Sequence, residues 1–525
     1  MALNSRTVAA IVALTLLCAA TLLSFFGLFR FRTEGFTLSV LTDTYILNIT
    51  RFSLWQAFLS ALISTVAAVP IARALFYFRR SASTRWLLHF SLLAFVMPTL
   101  ILITGLVILL GPRGLLTPLM NHWISHWNLY GLSGILLAHV YLNLPFAVRS
   151  FYLRLEQIPE TSWRLTEQLR LSGWSIWCYV EWPILRPTLL LVGGFVFILC
   201  FNSFAIVLAL GGGPKATTLE VAIYQALKYD FDMNEALLLA WLQLLLSGSI
   251  LLLVNLFGRI SWLNHPTIQQ RLLPEKSIFQ LSWMKFIHGL FWCFLLAPVS
   301  AIIYRLLAQH SQPLHWLPVL RATLFSLLFG SLAALLALFI GWALLLPVRY
   351  FHISRQNARQ HLFEWLATHT LPLPAMVLSV GIFIVVISQG WLDQTRLPLI
   401  IWINAVITAP FVISQLKPAL FTFDQLYYRQ LHNWRLSSWR LTWVEIKYLR
   451  RSLIQALTLA WVLCLGDVAI FSIFGDTDIA TLPWLIYQFA GSYRMHDAAF
   501  ASLFLLLICV FSIFIMEHYD SADGK

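Results

Sequence analysis

The chain has 525 residues, of which 59% are hydrophobic and 11% are charged, and its formal net charge is +13. Soluble domains carry roughly 25% charged residues, so this composition excludes an ordinary soluble enzyme and indicates that much of the chain lies in lipid. The positive charges are spread over short segments between apolar runs. This spread excludes a basic nucleic-acid-binding domain and is typical of the excess of Lys and Arg on the cytoplasmic side of membrane proteins.

A membrane-spanning helix needs about 20 mostly apolar residues, and twelve runs along the chain meet this requirement. In the first half they are 7–29, 53–76, 86–111, 130–150, 188–210 and 236–258, and in the second half they are 284–305, 318–346, 362–388, 397–416, 453–475 and 497–517. If the N-terminus is inside, most Lys and Arg residues fall in inside segments. The pattern therefore predicts an all-α multi-pass membrane protein of about 12 spans with both termini in the cytoplasm.

The chain shows little of the chemistry of an enzyme or a metal protein. His122 and His126 have a metal-ligand spacing if they are helical, but neighbouring tryptophans favour an interfacial loop, and no third ligand is evident. The stretch GGGPKATT at 211–218 fails the spacing of a phosphate loop, and Pro214 removes an amide donor that such a loop needs. The six cysteines contain no Cys-x-x-Cys pair, which excludes a zinc finger as the organising element. We expect no catalytic residue, no metal and no cofactor bound by this chain.

Short phrases recur half a chain apart, in the same order and at nearly the same offset. The matches are RLSGW (170–174) with RLSSW (435–439), TTLEVAIYQ (217–225) with ATLPWLIYQ (480–488), and Pro98 and Gly105 with Pro374 and Gly381. An even number of spans in each half gives both halves the same orientation. The recurrences predict two parallel six-span repeats, residues 1–260 and 284–525, joined by a cytoplasmic linker at 261–283, a plan known from transporters.

Both RLS phrases lie in the longest inside segments, which we call the first connecting segment (151–187) and the second connecting segment (417–452). Their mixed apolar and charged pattern predicts a short amphipathic helix beneath the membrane, which either rests in the lipid headgroups or presents a docking surface to a soluble partner. Duplication favours a dimeric partner. If the phrase is helical, Arg170 and Trp174 share one face, as do Arg435 and Trp439.

A few polar residues fall inside predicted spans, where they are costly. Asp467, in CLGDVAIF, is the clearest, and its first-half counterpart region CFNSFAIV contains Asn202 and Ser203. These three residues are candidates for a central substrate pathway, with structural hydrogen bonds between helices as the alternative. His139 and Asn404, which are 265 positions apart, are interpreted as polar groups of helix packing.

The six-span units, with an amphipathic segment between the fourth and fifth spans, resemble the permeases of binding-protein-dependent ABC importers. In that family the segment carries an EAA…G…LP motif that docks on ATPase subunits. Here Leu165-Thr166-Glu167 stand in place of Glu-Ala-Ala, Trp182-Pro183 in place of Leu-Pro, and Arg170 at the usual glycine position. The second copy departs further, because Arg435 again replaces the glycine, the closing proline is missing, and RLTWVEIKYLRR is one residue shorter.

The resemblance implies roles that the residues alone do not establish. It implies ATPase docking by Leu165, Thr166, Glu167, Leu169, Arg170, Leu171, Ser172, Gly173, Trp174, Arg435, Leu436, Ser437, Ser438 and Trp439. It also implies two partner ATPase subunits that use ATP and magnesium, a periplasmic binding protein, and a Gram-negative inner membrane.

Fused twelve-span members occur in the ferric-iron and thiamine branches of this family. The stretches LALGGGPKATTLEVAIYQALKYDFD at 208–232 and IYQFAGSYRMHDAA at 486–499 look like the thiamine branch. Transport of thiamine, and of thiamine phosphates, is therefore the expected function. A ferric-iron permease is the first alternative. An ion-coupled secondary transporter is the second, although such a carrier has no ATPase that would require two docking segments.

Overall fold

The computed structural model describes residues 5–30, 43–171, 173–211, 213, 216–256, 278–308, 315–371, 373–433, 438–475 and 479–522. Within these ranges the chain forms α-helices, one π-helical turn and connecting turns, and no β-strand. The predicted all-α class is confirmed. The predicted linker at 261–283 lies mostly outside the described residues, and the next helix begins within it, at Ile278.

The helices of the first half are α1 (Ser5–Arg30), α2 (Thr44–Tyr77), α3 (Ala82–Val96), α4 (Thr99–Leu110), α5 (Thr117–Trp123), α6 (Leu132–Glu156), α7 (Glu160–Gln168), α8 (Gly173–Ile176), α9 (Trp182–Phe201), α10 (Ala205–Leu210), α11 (Leu219–Lys228) and α12 (Met233–Leu256). Those of the second half are α13 (Ile278–Ala308), α14 (Trp316–Ile353), α15 (Asn357–Thr368), α16 (Ala375–Ser388), α17 (Leu392–Asn433), α18 (Ser438–Tyr448), α19 (Arg450–Leu465), α20 (Ala469–Phe474), α21 (Leu482–Gly491) and α22 (Met495–Ala522). A π-helical turn at Trp177–Glu181 joins α8 to α9.

Within the described ranges, nine helical stretches are long and apolar enough to cross a membrane. They are Ser5–Phe29, Thr44–Tyr77, Leu132–Glu156, Gly173–Phe201, Met233–Val254, Ile278–Ala308, Trp316–Ile353, Leu392–Tyr427 and Met495–Phe514. The pair α3 and α4, bent by 102°, makes a tenth if it counts as one span. The chain is therefore a multi-pass membrane protein, while the predicted number of twelve spans is not confirmed.

The third predicted span of each half is broken where a proline stands. Pro98 precedes the first residue of α4, and Pro374 precedes the first residue of α16. Proline has no backbone N–H, and it forces the residue before it out of the helical conformation. The continuous helices expected at 86–111 and 362–388 are thus each replaced by two shorter ones.

The fifth predicted span of each half is interrupted as well. In the first half α9 ends at Phe201 and α10 begins at Ala205, and in the second half α19 ends at Leu465 and α20 begins at Ala469. The expected continuous helices at 188–210 and 453–475 therefore do not form. The candidate pathway residues stand at these interruptions, where polar side chains can satisfy backbone groups that the helix leaves free.

The first helix of each half packs against the other half. Helix α1 packs on α14 and α16, and α13 packs on α2 and α4. The approach is close because small residues lie at the contacts: a Cβ atom at Gly105 would lie 2.6 Å from the carbonyl oxygen of Pro298, and a side chain at Gly381 would collide with Ser24. One continuous cluster of buried apolar side chains runs through both halves, so the halves form one interlocked bundle.

Candidate functional site

The first connecting segment begins with α7, which is fixed to the bundle by one large side chain. Trp163 is 1% exposed, and its ring stacks on the buried ring of Phe76 in α2 at a centroid distance of 5.8 Å. Burial of an aromatic ring is a large favourable term. Because one face of α7 is held in this way, its other face is turned out of the bundle.

The outward side of this segment presents apolar side chains that the bundle does not cover. Leu165, Leu169 and Trp174 are 53%, 60% and 74% exposed. Leu165 and Leu169 are four residues apart, on one side of the turn that ends α7. Among the predicted docking residues of the first segment, these three are large exposed apolar side chains, whereas Thr166 is buried and stabilises the helix end by donating a hydrogen bond to the carbonyl of Trp163.

The phrase RLSGW is not one helical turn, contrary to expectation. Helix α7 ends at Gln168 and α8 starts at Gly173, while Arg170 has a φ of +48°. Arg170 and Trp174 therefore do not share a helix face. A positive φ is the left-handed conformation that favours glycine, because a Cβ atom crowds the following carbonyl there. Arg170 stands at the position where the resembled family has glycine, so the substitution places a side chain in a conformation that disfavours one.

We expect Arg170→Gly to stabilise the protein by about 1 kcal/mol, because glycine removes the crowded Cβ atom, although it adds freedom to the unfolded chain. Thermal unfolding of the purified permease in detergent measures the effect. Arg170→Ala is the matched control: it removes the charge but keeps the Cβ atom, and no gain is expected. A glycine variant that is less stable than the alanine variant would contradict this account.

The second connecting segment presents a similar exposed surface from a different local structure. On α18, Trp439, Trp443 and Ile446 are 77%, 64% and 44% exposed. Their spacing of four and three residues places them on one face of the helix. Of the other predicted docking residues, Ser172, Arg435, Leu436, Ser437 and the side chain of Ser438 lie outside the described residues.

Each connecting segment is joined to the second span of its own half by a buried ion pair. Arg73 of α2 lies 2.5 Å from Glu181, and Arg349 of α14 lies 2.8 Å from Glu445. The two glutamates are 0% and 1% exposed. Glutamate is almost never fully buried unless it is paired. Sequence reasoning missed these pairs, although Val180-Glu181 recurs as Val444-Glu445 at nearly the repeat offset.

The pair in the second half belongs to a larger charged network. Arg349 also binds both carboxylate oxygens of Asp424, and Arg6 of α1 donates to Glu445 at 2.6 Å. A bidentate arginine–carboxylate contact is a strong, directional interaction. In the first half, Glu181 instead accepts a hydrogen bond from the Tyr77 hydroxyl at 2.9 Å. The second connecting segment is thus also tied to the first helix of the chain.

The first half has a comparable contact without a charge. A Cβ atom at Gly173, in the first connecting segment, would lie 2.7 Å from the side-chain nitrogen of Gln280 near the start of α13. Each of the two crossing helices, α1 and α13, therefore begins beside the connecting segment of the half against which it packs.

The π-helical turn accounts for the unequal lengths of the two copies. A π turn contains one residue more than an α turn, and Trp177–Glu181 is such a turn in the first copy. The matching part of the second copy is the regular helix α18, with one residue fewer. The extra residue is absorbed directly before Glu181, so both glutamates reach the arginine of their own half.

A cavity of about 230 Å³ lies between the two halves. The residues that line it are Phe95, Val96, Met97, Pro98, Thr99 and Leu142 of the first half and Asn404, Ile407, Thr408, Phe411, Val462, Leu463, Gly466, Asp467 and Ile470 of the second. The interruptions of the third and eleventh spans meet here, because a Cβ atom at Gly466 would lie 3.3 Å from the Cα atom of Pro98. Asp467 is the acidic member of this lining.

The structure separates the three predicted pathway residues. Asp467 lines the cavity, and among the described residues its Oδ2 atom is buried without a hydrogen-bond partner. Asn202 bonds within its own half, to Ser247 at 3.1 Å and Gln243 at 3.0 Å. Ser203, beside it, is partly buried at the same interruption.

His139 and Asn404, the two polar residues interpreted as helix-packing groups, also differ in their surroundings. His139 is buried and lies 3.1 Å from the Ser60 hydroxyl, so it has a packing role. Asn404 lines the cavity, one turn before Thr408 on α17. Its amide donates to the carbonyl of Ile400 within the same helix.

The two histidines with metal-ligand spacing do not lie on one helix. Helix α5 ends at Trp123, and His126 has a φ of +62°. In the described part of the chain, no three His, Cys, Asp or Glu side chains are grouped so that they could hold a metal ion.

Known proteins resemble the chain over almost its whole length. The thiamine transport system permease protein ThiP of Escherichia coli is 33% identical over 521 residues, which is 98% of this chain and 96% of that protein. ThiP of Haemophilus influenzae is 36% identical over 496 residues, 92% of this chain and 90% of that protein.

A more distant relative covers only part of the chain. The putative ferric transport system permease protein FbpB 1 of Haemophilus influenzae is 28% identical over 194 residues, 36% of this chain and 30% of that protein. No family model and no solved structure matches the chain.

Proposed function

The chain belongs to the family of thiamine transport system permease proteins, and from this premise we propose that it is the membrane subunit of an ABC importer for thiamine and its phosphate esters. The similarity over 98% of the chain to a thiamine permease carries this proposal. The substrate is delivered by a periplasmic binding protein and released into the cytoplasm. The membrane is the Gram-negative inner membrane, and both termini are cytoplasmic.

Two ATPase subunits provide the energy, and each docks on one connecting segment. The exposed apolar surfaces support this assignment: Leu165, Leu169 and Trp174 on the first segment, and Trp439 and Trp443 on the second. Large exposed aromatic side chains are the residues that most often dominate protein interfaces. Residues 1–260 and 284–525 are the two permease repeats, and 261–283 is a cytoplasmic linker, so one chain supplies both docking sites.

The buried ion pairs connect each docking site to a membrane-spanning helix. When the ATPase dimer closes on ATP, it draws the connecting segments together, and the pairs Arg73–Glu181 and Arg349–Glu445 pull the second spans with them. Helix α2 packs directly on α6 and α9 of its half, and α14 packs directly on α17 and α19. The cavity between the halves then opens to alternate sides of the membrane as the halves tilt.

Transport by the purified complex tests the proposal. We expect vesicles that contain the permease and its ATPase to accumulate radiolabelled thiamine only when ATP and the loaded binding protein are present. Unlabelled thiamine and thiamine pyrophosphate compete for uptake, and ferric iron does not. Uptake driven by an ion gradient without ATP, or uptake of iron in place of thiamine, would refute the proposed function.

The same vesicles test the cavity. We expect Asp467→Asn to lower the rate of thiamine uptake about tenfold, because a cationic substrate passing through the cavity loses its acidic partner, a loss typical of one charged interaction at about 1.4 kcal/mol. Membrane insertion and ATPase binding should stay normal. Asn202→Ala is the control, since Asn202 bonds within its own half. Wild-type uptake by Asp467→Asn would assign this acid a structural role.

A further inference from the structure

Two aromatic residues are largely exposed, and each lies in a turn with a strained backbone conformation. Phe231 and Tyr493 are 80% and 88% exposed, and their φ angles are +54° and +60°. Bulky side chains are uncommon at positive φ. Strained residues of this kind persist where the surrounding structure enforces them, which is most often at functional sites.

The two residues occupy equivalent places in the two halves. The first exposed turn (residues 229–232) joins α11 to α12, and the second exposed turn (residues 492–494) joins α21 to α22. In each turn the residue after the aromatic one donates its backbone N–H to a carbonyl of the preceding helix: Asp232 to Ala226 at 2.8 Å and Arg494 to Phe489 at 2.9 Å. The same backbone geometry therefore displays an aromatic ring in both repeats.

Both turns lie at the end of the bundle opposite to the connecting segments. Asp230 of the first turn interacts with Tyr45 at the start of α2, and Asp497, just after the second turn, contacts His315 beside the start of α14. The other ends of α2 and α14 carry the arginines that contact the connecting segments. The halves meet at this end. The phenol groups of Tyr130 in the first half and Tyr493 are close enough to interact electrostatically, as are those of Tyr229 and Tyr487. The two exposed rings thus flank the junction of the halves.

The surroundings of the two rings differ in charge. Near Phe231, the carboxylates of Asp230, Asp232 and Asp43 all lie within electrostatic range of Glu235, so this turn is acidic. Near Tyr493, Arg494 is paired with Asp497 at 2.6 Å, so the nearest charges are balanced. A soluble partner that contacts both turns is therefore required to present two different patches, with positive charge facing Phe231.

We propose that Phe231 and Tyr493 are paired contact residues for the soluble binding protein, which touches one ring on each half and is oriented by the acidic first turn. This inference rests on the proposed function, since it takes a binding protein to be the partner. Because the binding protein contacts both halves at once, its binding depends on the state that the junction between the halves has adopted.

Glycine substitutions separate the effect of losing the ring from the effect of disturbing the backbone conformation. Glycine suits a positive φ, so Phe231→Gly and Tyr493→Gly remove the ring while they relieve strain. With the complete permease–ATPase complex in nanodiscs and the purified, thiamine-loaded binding protein, we expect each variant to weaken binding about thirtyfold, the usual effect of losing one central aromatic contact. The thermal stability and the ATPase content of the complex should stay at or above wild type.

Four further variants complete the experiment. Phe231→Tyr and Tyr493→Phe keep a ring and should keep the affinity, and Trp123→Ala removes a ring that is 77% exposed without a positive φ, with no expected effect. Asp230→Lys should slow association about tenfold at low salt and much less at high salt.

The outcomes distinguish this inference from the proposed function. If both glycine variants bind the partner as wild type does, the rings rest in lipid headgroups as interfacial aromatics and the inference fails, while the proposed function stands. If the wild-type complex itself does not bind the partner, the proposed function fails.

Discussion

Glu445→Ala is expected to lower the free energy of unfolding by about 3–5 kcal/mol and to abolish transport, because it leaves Arg349 buried with one of its two ionic partners and removes the carboxylate that Arg6 of α1 contacts. Loss of one partner from a buried network is far more harmful than loss of a surface pair, since the remaining charge stays out of water. Chemical unfolding of the purified permease in detergent measures the stability, and uptake by vesicles measures the transport.

Two comparisons make this prediction specific to the network. Glu181→Ala removes the equivalent carboxylate, but among the described residues of the first half this change breaks the single ion pair Arg73–Glu181, and Arg73 is partly exposed. Its expected cost is therefore smaller. The double variant with Arg349→Ala and Glu445→Ala should lose less unfolding free energy than the sum of the losses of the two single variants, because the residues share one network. Strict additivity, or equal costs for Glu181→Ala and Glu445→Ala, would contradict the described geometry.

The second large effect concerns the exposed tryptophans of the connecting segments. We expect Trp174→Ala or Trp439→Ala to weaken ATPase association about thirtyfold, since truncation of a large interface side chain costs about 2 kcal/mol. The double variant should lose the ATPase altogether. Co-purification of tagged ATPase with the permease measures the association. The two single losses need not be equal, because Trp174 follows a turn, whereas Trp439 lies on a regular helix.

A matched control lies at the same end of the bundle. Trp365, on α15, is 64% exposed and lies outside both connecting segments. Trp365→Ala should leave ATPase association unchanged. If the double variant with Trp174→Ala and Trp439→Ala still co-purifies the ATPase at wild-type stoichiometry, these side chains rest in the headgroups and the docking proposal is wrong.

Local patterns were enough to predict the helical class and the two exposed segments. Apolar runs of about 20 residues identify most spans, and the recurring RLS phrase locates the connecting segments. The interruptions were harder to predict. Pro70 and Pro145 stand inside continuous helices, whereas Pro98 and Pro374 stand at breaks. Membrane helices tolerate proline when neighbours satisfy the freed carbonyls, and those neighbours are known only once the bundle is assembled.

Some residues of the candidate site could likewise be predicted from local sequence, and others could not. The insertion cost of an acid singled out Asp467 from the sequence alone. The ion pairs were not predictable in this way, because Arg73 and Glu181 are far apart in the chain and either residue by itself resembles an ordinary charge at a membrane surface. The positive φ of Arg170 was equally hidden, since arginine gives no indication of left-handed backbone. Only the comparison with a glycine in the resembled motif pointed to it.

The crossing of the first helices has a consequence for the order of synthesis. Helix α1 is synthesised before α14 and α16, on which it packs, and these helices follow more than half a chain later. At about 5–20 residues per second, α1 waits on the order of 15–70 s in the bilayer before these helices exist. Only 28% of its apolar window is buried in the finished bundle. A helix that remains mostly lipid-facing after folding is also stable in the bilayer before its partners are made.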